Sequence, residues 1–242
     1  MGTSLERTSV LAMLLALGCI PVGANATSLE ITPVAVNLVP GQHATTIGVM
    51  NRGGVAAAIQ LRAFAWTQVG DKDVLTPTQD IILSPPIFTV AKGKTQTIRL
   101  LLRPDRRAAG ERAYRLLIDE VPPVNAKDQQ IVIAMRISIP VIVGSATPAS
   151  RMLKWRARRG PQGEVLLSAT NTGNGYDRIT AIAVTLPDGS HPRIAAAAMN
   201  PYILAGAQRQ WVVHSSAAAP AGLRLKITTR AGESEQSLAI DP

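Results

Sequence analysis

The residue types that most often do chemistry are thinly spread in this chain. Three histidines, His43, His191 and His214, each stand alone, and none is paired at a spacing that would let two imidazoles share a metal ion. Gly189-Ser190-His191 puts a hydroxyl beside an imidazole, but adjacent residues of a turn point apart, and no Gly-x-Ser-x-Gly elbow exists to present a nucleophile. Gly173 and Gly175 lie in an Asn-rich turn between strands and not ahead of a helix, so they make no phosphate cradle. Asp119-Glu120 is a pair of carboxylates at a strand end, where solvation accounts for it. The one cysteine, Cys19, lies in the N-terminal apolar run, so neither a thiol nor a disulfide is available to the rest of the chain. The expectation is a protein without metal, cofactor or catalytic centre, against a rival reading as an envelope hydrolase.

What these residues can do is recognise. Residues 130–143 read Gln-Ile-Val-Ile-Ala-Met-Arg-Ile-Ser-Ile-Pro-Val-Ile-Val. On a strand, successive side chains face opposite ways, so Ile131, Ile133, Met135, Ile137 and Ile139 form one apolar row, with Val132, Ala134, Arg136 and Ser138 on the other face. Two readings follow. Either this is a central strand buried on both faces, or the face of Val132 and Ala134 packs inward and leaves the aliphatic row for a partner lacking a strand.

The chain start has the layout of an export signal: Arg7 in a short basic head, an apolar run over residues 10–17, and Ala24-Asn25-Ala26 as a cleavage site after Ala26. A weaker alternative is a lipoprotein signal at Ala16-Leu17-Gly18-Cys19, with Cys19 lipidated. No later apolar run reaches the length needed to span a bilayer, so stable membrane insertion is not expected. The 25 basic residues outnumber 16 acidic ones, for a net charge of +9, but aromatics are only 3%, too few for the stacking platforms of a nucleic-acid binder.

The elements that would position these residues are strands. Short β-branched segments alternate with turn residues, and no long stretch keeps a 3.6-residue apolar period. Residues 29–38 read as a first strand whose Pro33 favours an edge or a switch between sheets. Ser84-Pro85-Pro86 reads as a rigid turn, with Ser84-Pro85 a candidate cis bond. About seven strands in about 115 residues is the count of an immunoglobulin-like sandwich. The small, polar residues 144–150 read as a linker, placing one domain at 27–143 and a second β domain at 151–242.

Ser84-Pro85-Pro86-Ile87-Phe88, Gly93-x-x-Gln96-Thr97-Ile98-Arg99, Glu111, Glu120-Val121-Pro122-Pro123 and the alternating strand after them occur in an order that resembles the N-terminal domain of periplasmic pilus-subunit chaperones of the chaperone-usher pathway. Trp155-Arg156-Ala157-Arg158, Asn171-Thr172-Gly173-Asn174 and Tyr202-Ile203-Leu204-Ala205-Gly206 look like the spore-coat-like, or archaic, branch. The resemblance implies an all-β chain of two immunoglobulin-like sandwiches set at an angle with a cleft between them. It also implies that residues 130–143 are the G1 strand, lent to pilin-like subunits that lack their last strand, and that the complex is delivered to an outer-membrane usher.

Ile131, Ile133, Met135 and Ile137 are then the subunit-binding residues. Buried in a guest at roughly 1.5 to 3 kcal/mol each, they supply about 6 to 12 kcal/mol before association entropy is subtracted. An exposed border of this kind also favours self-association of free copies. The chain departs from the family pattern where two basic residues hold the subunit's terminal carboxylate: Pro33 and Ser138 occupy those positions. Arg136, on the face of Ser138, and Arg115, on the preceding strand, are the candidate replacements, since a guanidinium donates two parallel hydrogen bonds to a carboxylate. Their alternative is pairing with Asp119 or Glu111. The competing reading of the whole chain is a two-domain immunoglobulin-like envelope protein that binds or supports without chaperoning.

Overall fold

Alternation of β-branched and polar side chains yields eighteen strands and no helix among the described residues. The structure, a computed structural model, describes residues 28–104, 110–122, 133–196, 200–214 and 221–242. The leader read into residues 1–26, with Cys19, and residues 130–132 of the apolar strand lie outside the described residues.

The first half holds β1 (Leu29–Thr32), β2 (Val36–Leu38), β3 (Ala44–Asn51), β4 (Ala57–Val69), β5 (Lys72–Pro77), β6 (Ile81–Ser84), β7 (Ile87–Val90), β8 (Thr95–Leu102), β9 (Arg112–Val121) and β10 (Arg136–Val143). One sheet runs β1-β3-β8-β6, the other β2-β10-β9-β4-β5, with β7 also on β4. Pro33 does mark a switch: β1 pairs with β3 in one sheet, and β2 pairs in parallel with β10 in the other, across a cis Thr32-Pro33 bond. Ser84-Pro85 is cis as well and separates β6 from β7. These two breaks, with the β5 return of the β4 hairpin, raise the strand segments above the seven expected.

The sheets close on Ile47, Val49, Ile98 and Leu100 from one side and Ile59, Leu116, Ile118, Ile139 and Val141 from the other. Such alternation is what a two-layer sandwich requires.

The second half holds β11 (Leu153–Arg159), β12 (Val165–Asn171), β13 (Asp177–Thr185), β14 (Arg193–Ala196), β15 (Tyr202–Ile203), β16 (Gln208–His214), β17 (Gly222–Thr229) and β18 (Gly232–Asp241), ordered β14-β16-β12-β11-β18-β17-β13-β15. β11 meets β18 in parallel only at Ala157 and Arg158. That narrow contact joins two layers around Trp155, Leu167, Val213, Val184, Leu225 and Ile227. The chain is thus two immunoglobulin-like sandwiches set at an angle with a cleft between them.

The halves share one polar device. Asn51, fully buried at the end of β3, donates to Val55 O (2.7 Å) and Val90 O (3.0 Å) and accepts from Gly53 N (2.9 Å). Asn171 does the same at the end of β12, donating to Gly175 O (2.8 Å) and Ile203 O (3.0 Å) and accepting from Gly173 N (3.0 Å). Each asparagine's carbonyl accepts from a glycine with positive φ, Gly93 (70°) or Gly206 (76°), a conformation a side chain would strain. Asn51→Ala and Asn171→Ala each orphan three backbone groups, two of them buried. Each should lower unfolding free energy by about 3 kcal/mol in urea titrations, while the exposed Arg52→Ala changes it by less than about 0.5 kcal/mol.

Candidate functional site

The strand singled out by its sequence faces the other way from the partner-facing option. Ile139, Val141 and Val143 point into the first sandwich and are buried, whereas Arg136 and Ser138 face outward. Ile139 is therefore core. The row emerges as it runs backward: Ile137 is half-buried against the core, Met135 is half-buried, and Ile133 is 84% exposed. The regular strand begins at Arg136, later than residue 130. β9 ends at Val121 and is followed by Pro122, which has no N–H to donate, and the last rung is Glu120 N to Met135 O (2.9 Å). Met135 N also donates to Glu120 Oε2 (3.3 Å).

The other border of β10 is bare where the row emerges. β2 pairs only with Val141, Ile142 and Val143, so residues 136–140 have β9 on one side and, among the described residues, no strand on the other. Pro140 is tolerated inside such a border strand.

The two candidate arginines are kept apart. Arg136 lies opposite Asp119, and Arg115 lies opposite Pro140, four residues farther along and so roughly 13 Å away. Arg136 Nε donates to Asp119 Oδ1, and Arg62 Nη2 donates to Asp119 Oδ2 (2.7 Å). Burial works against charge on Asp119, but the bonds from Arg136 and Arg62 prevail and hold its carboxyl below the ordinary value. Arg115 instead lies flat over Trp66, 3.8 Å from the ring centroid, with Tyr202 of the second half at 5.6 Å. Among the described residues no carboxylate hydrogen-bonds to it. Burial lowers its pKa, and the nearby Asp73 opposes that. Glu111, the other partner considered for these arginines, accepts instead from Tyr176 N (2.6 Å), and burial raises its pKa.

Sequence reasoning missed the junction that fixes this cleft. Trp66, Ile142 and Ala113 of the first half pack into the core of the second, and Trp66 meets Tyr202 edge-on at 5.5 Å. The tip of the β4–β5 hairpin is clamped by Arg209, only 3% exposed: Nη2 donates to Asp73 Oδ1 (2.6 Å), Nη1 to Asp71 O, and Nε to Tyr202 O (3.2 Å). Gln68 Oε1 accepts from Leu204 N (2.9 Å). The only sequence trace is an Asp-Lys-Asp turn carrying two carboxylates.

Among the described residues, Ser190 and His191 are turned to separate partners. Ser190 Oγ donates to Asp188 (2.6 Å), while His191 Nδ1 faces Thr185 Oγ1 (3.3 Å). Among the described residues no three His, Cys, Asp or Glu side chains are placed to hold a metal ion.

With this geometry in view, residues 28–147 match the family described as pili and flagellar-assembly chaperones, PapD N-terminal domain. Those 120 residues, just under half of the chain, are similar to that domain. The family acts as chaperones and not as enzymes. The fimbrial chaperone YhcA of Escherichia coli K12 is 30% identical over 120 residues, covering 48% of this chain and 49% of YhcA, so the chain spans about half the length of that curated relative. Among solved structures, the CsuC–CsuE chaperone–tip adhesion subunit complex from the archaic chaperone-usher Csu pili of Acinetobacter baumannii aligns with TM-score 0.66 and 22% identity over 89% of this chain and 100% of that one. The Salmonella enterica SafA pilin–SafB chaperone complex aligns with TM-score 0.61 and 16% identity over 88% and 97%. Both alignments run through the PapD-like domain and on into the second sandwich, and they establish the shared fold.

The clamp beneath the PapD-like domain has a pH signature. Burial opposes charge on Asp73, yet Gln68, Asn200 and Arg209 together bring its carboxyl below the ordinary 3.8. A lowered carboxyl contributes stability that is complete above its unfolded value and is lost as pH falls through the folded one. The stability difference between the native chain and Asp73→Asn should be constant near neutrality and shrink below about pH 4. Arg209→Ala, which strands the hairpin carboxylates, should cost about 3 kcal/mol at neutral pH in chemical denaturation.

Proposed function

We propose that this protein is a periplasmic chaperone of the chaperone-usher type. It holds pilin-like subunits by adding the strand of residues 130–143 to their open sandwich and passes them to an outer-membrane usher. One observation carries this reading: the apolar row leaves the chain's own core beside a strand border that has no partner. A subunit missing a strand presents the complementary defect, an apolar groove flanked by unpaired backbone groups, and both are costly in water. One added strand covers groove and border together. A plain envelope binding protein has no use for this combination, and its edges would be expected to be shortened or charged.

Ile131, Ile133, Met135 and Ile137 carry the exchange. Ile137 is already half-buried, so its gain on binding is smaller than that of Ile133. For the subunit's terminal carboxylate we assign Arg115 as the anchor. It lies in the cleft, is oriented by two aromatic rings and has no carboxylate of its own, whereas Arg136 is engaged by Asp119. The kinship to the archaic Csu system supports placing the chain in that branch. Domains at 27–143 and 151–242 joined by 144–150, and a leader removed after Ala26, complete the reading.

Co-expression with a candidate pilin in a bacterial periplasm tests it. Ile133→Asp with Met135→Asp should abolish recovery of soluble complex with only a small loss of melting temperature, because Ile133 is exposed and Met135 only half-buried; recovery at the native level would refute strand lending. Arg115→Ala should weaken capture of the subunit at least about tenfold. A subunit with an amidated C-terminus should be captured weakly and equally by both proteins. If Arg136→Ala alone produces that pattern, the anchor is Arg136.

A further inference from the structure

Lys154-Trp155-Arg156-Ala157-Arg158 alternates cation and apolar residue at the period of a strand. In β11, Trp155 and Ala157 are buried, so Lys154, Arg156 and Arg158 emerge together on the opposite face, all exposed. Alternate residues of a strand lie roughly 6.6 Å apart, so the three cations form a row about 13 Å long. Their cross-strand neighbours are neutral over most of it: Thr170 and Ser168 on β12, and beyond them Gln208 and Gln210 on β16. Lys154, Arg156, Arg158, Ser168, Thr170 and Gln208 line a concavity of about 520 Å³, with Asp241 at one end.

The row is unusual within its own domain. On the β17–β18 hairpin the exposed cations are matched, Arg224 to Glu235 (3.4 Å) and Lys226 to Glu233 (2.9 Å). Among the described residues no carboxylate pairs with Lys154, Arg156 or Arg158. Three like charges lined up repel one another, and the one carboxylate in register with the row is Asp241 beside Arg158, so at Lys154 and Arg156 the sheet holds a cost that a negative partner would relieve. The border of β11 is open as well: β18 reaches only Ala157 and Arg158, leaving residues 153–156 with no strand on that side among the described residues.

We propose that this groove docks an extended acidic segment of a protein partner, with Asp or Glu at alternate positions, laid along β11. The period decides the chemistry. A strand-like segment repeats its side chains at the spacing of the cations, so each carboxylate meets one cation, while its backbone can pair with the open border of residues 153–156. A bilayer is flat and would meet the rim of a concavity before its cations, and a nucleic acid would find no aromatic ring among the lining residues on which to stack a base. The site is on the second domain and does not depend on strand lending by β10.

Fluorescence anisotropy of the folded chain with two labelled peptides tests the proposal. One is Thr-Glu-Thr-Glu-Thr-Glu-Thr; the other is its isomer Thr-Thr-Glu-Glu-Glu-Thr-Thr. At low salt the alternating peptide should bind about tenfold tighter than its isomer, and the Lys154→Gln, Arg156→Gln, Arg158→Gln variant should lose at least about tenfold. Arg224→Gln with Lys226→Gln removes equally exposed charge elsewhere and should leave binding unchanged. Arg156→Gln alone, a single exposed substitution, gives a smaller loss of the same sign and guards against misfolding of the triple variant. Equal affinity for the two peptides, binding unaffected by the triple substitution, or capture of phosphatidylglycerol vesicles in preference to the alternating peptide would overturn it.

Discussion

The molecule is organised around a strand that its own sheet does not finish. β10 is hydrogen-bonded along its length to β9, yet on the other side β2 accompanies it for only three residues. Its apolar row is core at Ile139 and solvent-facing at Ile133. A sheet edge with apolar side chains is ordinarily a hazard, because it is a template for pairing with another chain. Here the hazard is built in by the placement of prolines. Pro33, at the switch from β1 to β2, delays the parallel partner until Val36, and Pro122 stops the antiparallel one. The border is bare where the row is bare, and both follow from where the neighbouring strands start and stop.

A strand offered to a guest is useful only if what lies beside it is held still. Trp66, Ala113 and Ile142 belong by sequence to the first sandwich and by packing to the core of the second. Arg209, almost fully buried, ties the β4–β5 hairpin across the same junction. Interfaces between domains are usually modest and polar, which leaves hinge motion as the default. Here a shared apolar cluster and a buried ion pair restrain that motion, so the cleft has a defined shape before anything enters it.

The strands, the switch at Pro33 and the cis bond at Ser84-Pro85 were legible in the sequence, because period-two alternation and proline geometry are local properties, whereas the pair of sandwiches was what the family resemblance implied. The direction in which the row of residues 131–139 faces was not. Alternation shows that two faces exist, but which face is core depends on the opposing sheet, and Ile47, Ile98 and Leu100 supply it from residues far away in the chain. The buried asparagines were read only as turn residues, since the carbonyls of Val90 and Ile203 that complete their bonding are distant in sequence. Nothing in the sequence sets Arg209 apart from the other cations. Its burial depends on a hairpin tip from the other domain.

The missing basic residues follow the same logic. Ser138 faces outward opposite Leu117, and Arg115 lies one outward-facing row farther on, opposite Pro140. Moving the cation from β10 to β9 therefore shifts it one strand across, about 4.8 Å, and two residues along, roughly 6.6 Å. The stack of Arg115 on Trp66 and Tyr202 carries its guanidinium toward the second domain. On the proposed assignment of the anchor to Arg115, a carboxylate gripped there would lie deeper in the cleft than one gripped at Ser138, by about one repeat of a strand. On that assignment a guest sandwich, counted back from its C-terminus, would meet Ile137 and Met135 two residues earlier in its own sequence. The departure from the family pattern can then be accommodated by a matching shift of register between guest and strand, with the strand border and its apolar row kept unchanged.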